Sequence, residues 1–285
     1  MKIEQDIIQN SITLPDQAGR ERTVLKDQQA VEIAKVHNKS LYDIYLTALK
    51  KEILPYRYIR NLESITIGDQ LKLHESKVTI IGAGGLGGQV VILLARLGVG
   101  NLVVIDHDVF DETNLNRQAL SSIDVIGKAK SEIAKETVGR LNSAVNITAI
   151  HSRLDKLNGE KFLQGSDVIV DALDNISDRF TVEDFAKGLD IPLVHGAVAG
   201  FEGQVMTIFP DDEGMKSIYG DRNKFVGTAK SPVSILGVPA VTPAIIASFQ
   251  VIEVVKIILK KENILRNMLV YMDMAKGESK KLRFN

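Results

Sequence analysis

Asp106, Asp108, Asn114, Arg117, Lys130 and Asp174 are the residues whose types and spacing could do chemistry on a phosphate-bearing ligand. Asp106 closes an apolar run, Leu102–Ile105, where a carboxylate can accept hydrogen bonds from ribose hydroxyls. Asp108 follows in D-H-D, Asn114 and Arg117 stand in N-x-x-R spacing, and Lys130 ends G-K-A-K. Two cations aimed into one crevice suit a triphosphate whose charge must be neutralised during transfer. Asp174 sits in D-A-L-D-N, and its hard carboxylate oxygen near the same phosphates would hold Mg2+. Each residue alone also has a plainer reading. Asn114 could cap a turn, Arg117 and Lys130 could lie on solvated faces, and Asp174 could cap the following helix.

Elements of known type must position these groups. A β-branched run, Val78–Ile81, meets Gly82, Gly84 and Gly87 in G-x-G-x-x-G spacing, with Gly85 and Leu86 between them. A helix-like segment, Leu86–Leu97, and the strand-like Leu102–Ile105 follow. Strand, glycine turn, helix, strand and acid is the order of a nucleotide-binding βαβ unit. Backbone without side chains lets a phosphate or ribose approach the amides at a helix start. Beyond it, Ala129–Leu141, Gly159–Leu163 and Ser177–Gly188 read as helices. Val145–Ile150, Asp167–Val170 and Leu193–His195 read as strands between them. The alternation predicts an α/β fold with a doubly wound, mostly parallel sheet. In such a sheet the carboxyl ends of the first, second and fourth strands share one crevice, which would bring Asp174 to Asp106. His195 and Glu202 are read as structural.

The pattern then changes. Gly203–Phe209 alternates like an antiparallel strand, and Met268–Met272 and Lys281–Phe284 look like closing strands. Pro210–Val238 is a long polar stretch, and Thr242–Lys260 is apolar all round, predicting a buried helix. Before the core, Asp27–Leu54 reads as two short helices, the second capped by Ser40. Residues 1–54 are therefore taken as a small helical module of unknown role, suited to docking or dimerisation, and 55–285 as the main domain. Pro55–Leu71 reads as a polar connector between them.

Composition removes several classes. A formal net charge of -1 gives no basic field for nucleic acid or anionic lipid. With no cysteines, disulfides, thiolate zinc sites and a thioester on these residues are excluded. Pro232, Pro239 and Pro243 interrupt the uncharged stretch Ser231–Ile252, which argues against a membrane span. The polar, acidic start lacks the pattern of a signal peptide, so a cytoplasmic protein is expected.

Taken together, G-A-G-G-L-G-G, V-I-D-H-D-V-F-D-E-T-N-L-N-R-Q, G-K-A-K, D-A-L-D-N and H-G-A-V-A-G-F-E-G-Q-V resemble the MoeB/ThiF/HesA superfamily, the bacterial relatives of ubiquitin-activating enzymes. The resemblance runs from about Tyr56 onward. It implies a Rossmann-like domain that uses ATP and Mg2+ to adenylate the C-terminal carboxylate of a small β-grasp carrier protein ending in diglycine. Gly84 and its neighbours would line the nucleotide site and Asp106 would hold the ribose. Asn114, Arg117 and Lys130 would contact phosphates, and Asp174 would bind Mg2+. R-Y-I-R-N places Arg60 as the arginine that reaches a partner subunit's site, implying a homodimer. Members with two C-x-x-C pairs hold zinc; here M-K-S-I-Y-G-D and T-A-K-S-P stand there instead, so no structural zinc is expected and any sulfur would come from a separate donor protein. Other readings are a carboxyl on a modified tRNA base, as in the threonylcarbamoyladenosine-cyclising branch, a peptide, and a non-catalytic nucleotide-binding scaffold.

Overall fold

The computed structural model describes residues 2–225 and 235–284. T-A-K-S-P, residues 228–232, falls outside these residues. The centre of the fold is an eight-stranded sheet. Its parallel part comprises β4 (Lys77–Ile81), β5 (Asn101–Ile105), β6 (Asn146–Ile150), β7 (Val168–Asp171) and β8 (Leu193–Ala199). β9 (Glu202–Ile208), β10 (Met268–Asp273) and β11 (Glu278–Arg283) extend it antiparallel. The order β6-β5-β4-β7-β8-β9-β10-β11 puts β4 between two neighbours that lead the chain in opposite directions. A ligand crevice opens at the carboxyl ends of strands where the order reverses in this way.

Strand side chains alternate between faces, and both faces of this sheet are covered. Val78, Ile80, Leu102, Val104, Val168 and Val170 point toward α5 (Gly85–Leu97), α6 (Lys130–Leu141) and α10 (Val241–Ile258). Ile81, Val103, Ile105 and Ile169 point the other way, toward α7 (Gly159–Leu163) and α8 (Ile176–Gly188). Continuous apolar strands follow from this burial on both sides.

α10 departs from the sequence expectation of burial all round. Ile246, Ala247, Gln250, Val251 and Val254 are buried, whereas Val241, Ile245, Phe249 and Ile252 are exposed. The composition is apolar on every side, yet the sheet and α5 supply cover for only one. Among the described residues this is the one helix long and apolar enough to cross a membrane by length and composition. Here its inner face lies on the sheet.

The N-terminal part holds α1 (Ile3–Asn10), α2 (Asp27–His37) and α3 (Leu41–Lys50) and a three-stranded sheet of β1 (Ile12–Pro15), β2 (Glu21–Leu25) and β3 (Leu54–Pro55). The strands add to the helical module read from sequence. They were hidden because β3 is two residues long and pairs with β2 from far along the chain, Val24 with Leu54 and Leu25 with Pro55. The segment read as a connector also folds. Tyr56–Asn61 forms a 3-10 turn, and α4 (Ile67–Glu75) starts from a Thr66 cap whose hydroxyl accepts the Asp69 N–H. Asn142 Nδ2 donates to Tyr58 Oη at 2.8 Å and to the Ala95 carbonyl at 2.9 Å, joining this region to α5. Two further stretches read as polar loop contain α9 (Met215–Tyr219) and a 3-10 turn, Arg222–Phe225.

Candidate nucleotide-binding site

β4 ends in a turn that needs glycine. Gly82 has φ +92°, and a Cβ there would lie 2.7 Å from the Ala172 carbonyl oxygen, at the close approach of the β4 and β7 turns. At Gly87 a Cβ would meet the Gly82 carbonyl oxygen at 1.7 Å, so this glycine lets α5 pack on its own turn. Gly84 and Gly85 are different: their nearest neighbours are Gln118 at 3.7 Å and Pro243 at 3.5 Å, ordinary contact distances.

A cleft opens over this turn, lined by Gly82, Gly84, Gly85, Leu86, Asp106 and Asp108, with Arg117, Lys130 and Asp174 on its other sides. Asp106 fastens its floor. Its Oδ2 accepts the Ala83 N–H at 2.6 Å and its Oδ1 accepts the Asp108 N–H at 2.7 Å. Each oxygen keeps a lone pair for a ribose hydroxyl. Lys130 is buried at the start of α6 and donates to Asp108 Oδ2 at 3.0 Å. Arg117 Nη1 donates to the Thr113 carbonyl at 2.8 Å and to Asn116 Oδ1 at 2.9 Å, so the guanidinium is held at the rim by its own loop.

Asp174 is exposed in the turn after β7 and lines the cleft. The helix cap that competed with a metal role belongs to its neighbour: Asn175 Oδ1 accepts the Asp178 N–H at 2.8 Å. Asp106, His107 and Asp108 are the described group close enough to share a metal ion. Both carboxylates of that group accept from backbone amides or from Lys130, and Asp174 lines the cleft across from them, after β7. Mg2+ is commonly held by one or two carboxylates together with substrate phosphates, which fits Asp174. Gln118 Oε1 is buried on the cleft wall without a partner among the described residues, an acceptor awaiting a donor such as a ligand hydroxyl.

Three residues assigned from sequence stand outside the lining. Gly87 packs, as above. Asn114 is buried in the turn it was alternatively read to cap, its Oδ1 accepting the Asp111 N–H at 3.1 Å. Arg60 is exposed on the Tyr56–Asn61 turn and is not among the residues that line this cleft.

Comparison with known proteins then bears on the cleft. The ThiF family matches residues 56–285. The chain belongs to the ThiF family. Among its relatives, the SAMP-activating enzyme E1 of Haloferax volcanii is 36% identical over 76% of this chain and 80% of that protein. A probable molybdopterin-synthase adenylyltransferase of Porphyra purpurea is 33% identical over 75% of this chain, which spans 56% of that protein. The adenylyltransferase and sulfurtransferase MOCS3 of Arabidopsis thaliana is 35% identical over 82% of this chain and 51% of its own length. In fold, Escherichia coli MccB solved with ATP superposes with TM-score 0.65 at 21% identity, covering 89% of this chain and 82% of MccB. PaaA superposes with TM-score 0.64 at 20% identity, covering 96% and 98%.

The ThiF-family cleft also has residues that the sequence reading missed. Arg153, after β6, donates to both oxygens of Asp178 at 2.9 Å, and both line the cleft. Leu154, Leu173 and Val182 add an apolar wall beside Asp106. They come from separate elements and carry no motif, so only the folded sheet brings them together.

Proposed function

We infer that this chain is an ATP-dependent adenylyltransferase that activates the C-terminal carboxylate of a small ubiquitin-like carrier protein. The observation that carries the reading is the convergence of Gly84, Asp106, Arg117, Lys130 and Asp174 on one cleft at the reversal point of the sheet. The activities named for the Haloferax and Porphyra relatives are of this kind.

The chemistry needs little from the protein beyond placement and charge. A carboxylate is ionised at neutral pH and attacks the α-phosphorus of ATP without a general base. A carboxyl oxygen–phosphorus bond forms, the bond between the α-phosphorus and the bridging oxygen breaks, and pyrophosphate leaves with that electron pair. Asp106 orients the ribose, while Lys130 and Arg117 offset the charge on the phosphates. Mg2+, held by Asp174, would supply further positive charge to them. With 0 cysteines in the sequence, the chain offers no thiol to take the acyl group, so sulfur would be delivered by another protein.

A homodimer belongs to this reading. Arg60 is exposed off its own cleft, and α10 presents Val241, Ile245, Phe249 and Ile252 to solvent, an apolar stripe that a second copy would cover. Arg60 of one subunit would then serve the cleft of the other. ATP–pyrophosphate exchange, measured with carrier proteins, tRNA and peptides added separately, tests the function. Exchange that no carboxylate donor stimulates would overturn it. Mixing Arg60→Ala with Asp174→Ala protein tests the shared site: recovery of part of the activity is the expected result.

A further inference from the structure

Beneath the cleft, and reaching its wall through Arg179, lies a set of polar side chains with no place in the scheme above. Asp171 and His195 are each 0% exposed and Arg179 is 4% exposed. Burying such groups is unfavourable unless each is paired, and apolar residues of similar size often fill such a space with equal or greater stability. Their hydrogen bonds form a closed ring. Arg179 Nη1 donates to Tyr219 Oη at 2.6 Å, and Tyr219 Oη lies 3.1 Å from His195 Nε2. His195 Nδ1 is 2.7 Å from Asp171 Oδ2, and Asp171 Oδ1 accepts the Leu173 N–H at 3.0 Å. The ring closes where Arg179 Nη2 donates to the Leu173 carbonyl at 2.5 Å.

One assignment of protons is consistent with every bond of the ring, while Arg179 Nε stays 3.8 Å from Asp171 Oδ2 without a hydrogen bond among the described residues. His195 carries its proton on Nδ1, toward Asp171, which leaves Nε2 to accept from the Tyr219 hydroxyl. Burial, opposed by the Asp171 bond and reinforced by Arg179, pulls the His195 imidazole below its ordinary pKa, in keeping with this neutral form. Burial alone would raise Asp171, but Arg179 and His195 outweigh it and keep the carboxylate charged. Gln250 Nε2 adds a bond to the Asp171 carbonyl at 2.8 Å, tying the ring to α10.

The ring grips the backbone of one residue, Leu173, through the two peptide units that flank it. The Leu173 N–H and carbonyl are both taken, and the next residue is Asp174, whose charge Arg179 also feels. On the other side, Ala172 abuts the glycine turn so closely that Gly82 has no room for a Cβ. We propose that Asp171, Arg179, His195 and Tyr219 are positioning residues that fix the Asp174 carboxylate for the metal-bound triphosphate. The proposal rests on the nucleotide reading of the cleft. Contacts behind a metal ligand that hold its orientation characteristically tune metal affinity, with losses of about 10- to 100-fold on removal; here they act on the backbone that carries Asp174.

Calorimetric binding of ATP with and without Mg2+ tests it. Tyr219→Phe removes one hydroxyl from the ring, and Arg179→Lys keeps the charge but cannot reach both Tyr219 and Leu173. In both, the gain in ATP affinity on adding Mg2+ should shrink by roughly tenfold, toward that of Asp174→Ala, with Mg2+-free affinity unchanged. A merely structural role would lower the melting temperature and leave that gain intact. Folded Tyr219→Phe and Arg179→Lys proteins with the wild-type gain would therefore overturn the proposal, as would an undiminished gain in Asp174→Ala. Wild-type protein with no Mg2+-dependent ATP binding would instead remove the nucleotide reading on which it stands. Tyr219→Phe, which loses only an oxygen atom, keeps the test open if Arg179→Lys does not fold.

Discussion

Lys130 Nζ lies 3.0 Å from Asp108 Oδ2, and the two side chains meet solvent very differently, at 8% and 53% exposure. The ammonium is thus held at the cleft by a counter-ion that water reaches, and triphosphate oxygens can join or replace that carboxylate around it. Lys130→Ala should lower the ATP–pyrophosphate exchange rate by about a hundredfold or more, with the fold intact. Steady-state exchange kinetics beside a circular dichroism melt check this.

Asp106 has two duties, and its variants should separate them. Both oxygens accept backbone N–H groups, from Ala83 and Asp108. Hydrogen bonds to a charged group contribute about 1.5–3 kcal/mol each, so Asp106→Ala should lose roughly 3 kcal/mol or more of unfolding free energy. Asp106→Asn keeps one acceptor and should lose less, while still weakening ATP binding. Urea denaturation and nucleotide titration together give the two readings.

The glycines should divide by what surrounds them. Gly87→Ala would drive a Cβ into the Gly82 carbonyl, and a loss of about 3 kcal/mol is expected. Gly139 lies inside α6 with nothing within 4 Å of the added Cβ. Gly139→Ala should stabilise by about 0.5–1 kcal/mol through helix propensity and a less free unfolded chain. Opposite shifts of the denaturation midpoint are the observable.

Acid should release one contact in the N-terminal sheet. Asp16 is held at about 2 against an ordinary 3.8: burial would raise it, but the Arg20 and Ala18 N–H groups and the Arg22 and Arg20 guanidiniums outweigh that. The folded value lies below the unfolded one, so this stability is complete above 3.8 and is lost as pH falls toward 2. Asp16→Asn should therefore be less stable than wild type near about pH 5, with the gap closing in stronger acid. Urea midpoints across that range show whether it closes.

The parts of this fold that were readable in sequence are those whose meaning is local. The run from Val78 through the glycine turn to Asp106 states its own geometry, because periodicity, turn residues and a terminal acid all lie within one βαβ unit. Asp174 could be placed with it because sheet order brings those strand ends together, whereas Lys130, the first residue of α6, is placed by its G-K-A-K motif. Asn114 suits a phosphate or a turn by its spacing, and the Asp111 N–H bond to its Oδ1 shows that it does cap the turn. Arg153 and Asp178 meet from different elements, which no spacing encodes. α10 shows the limit in another way: hydropathy records that Phe249 and Ile252 are apolar, not whether a surface exists to cover them.

The bond from Asn142 to Tyr58 and Ala95 has a mechanical consequence. Ala144, just beyond Asn142, is packed among Ile44, Tyr45 and Leu54, so the loop after α6 belongs to the N-terminal core. Heating should then give a single cooperative transition, and a protease cut between Leu54 and Pro55 should release no independently folded fragment. The helix α5, whose first turn borders the cleft, is clamped at its last turn, so the cleft end of the molecule is anchored from its opposite side.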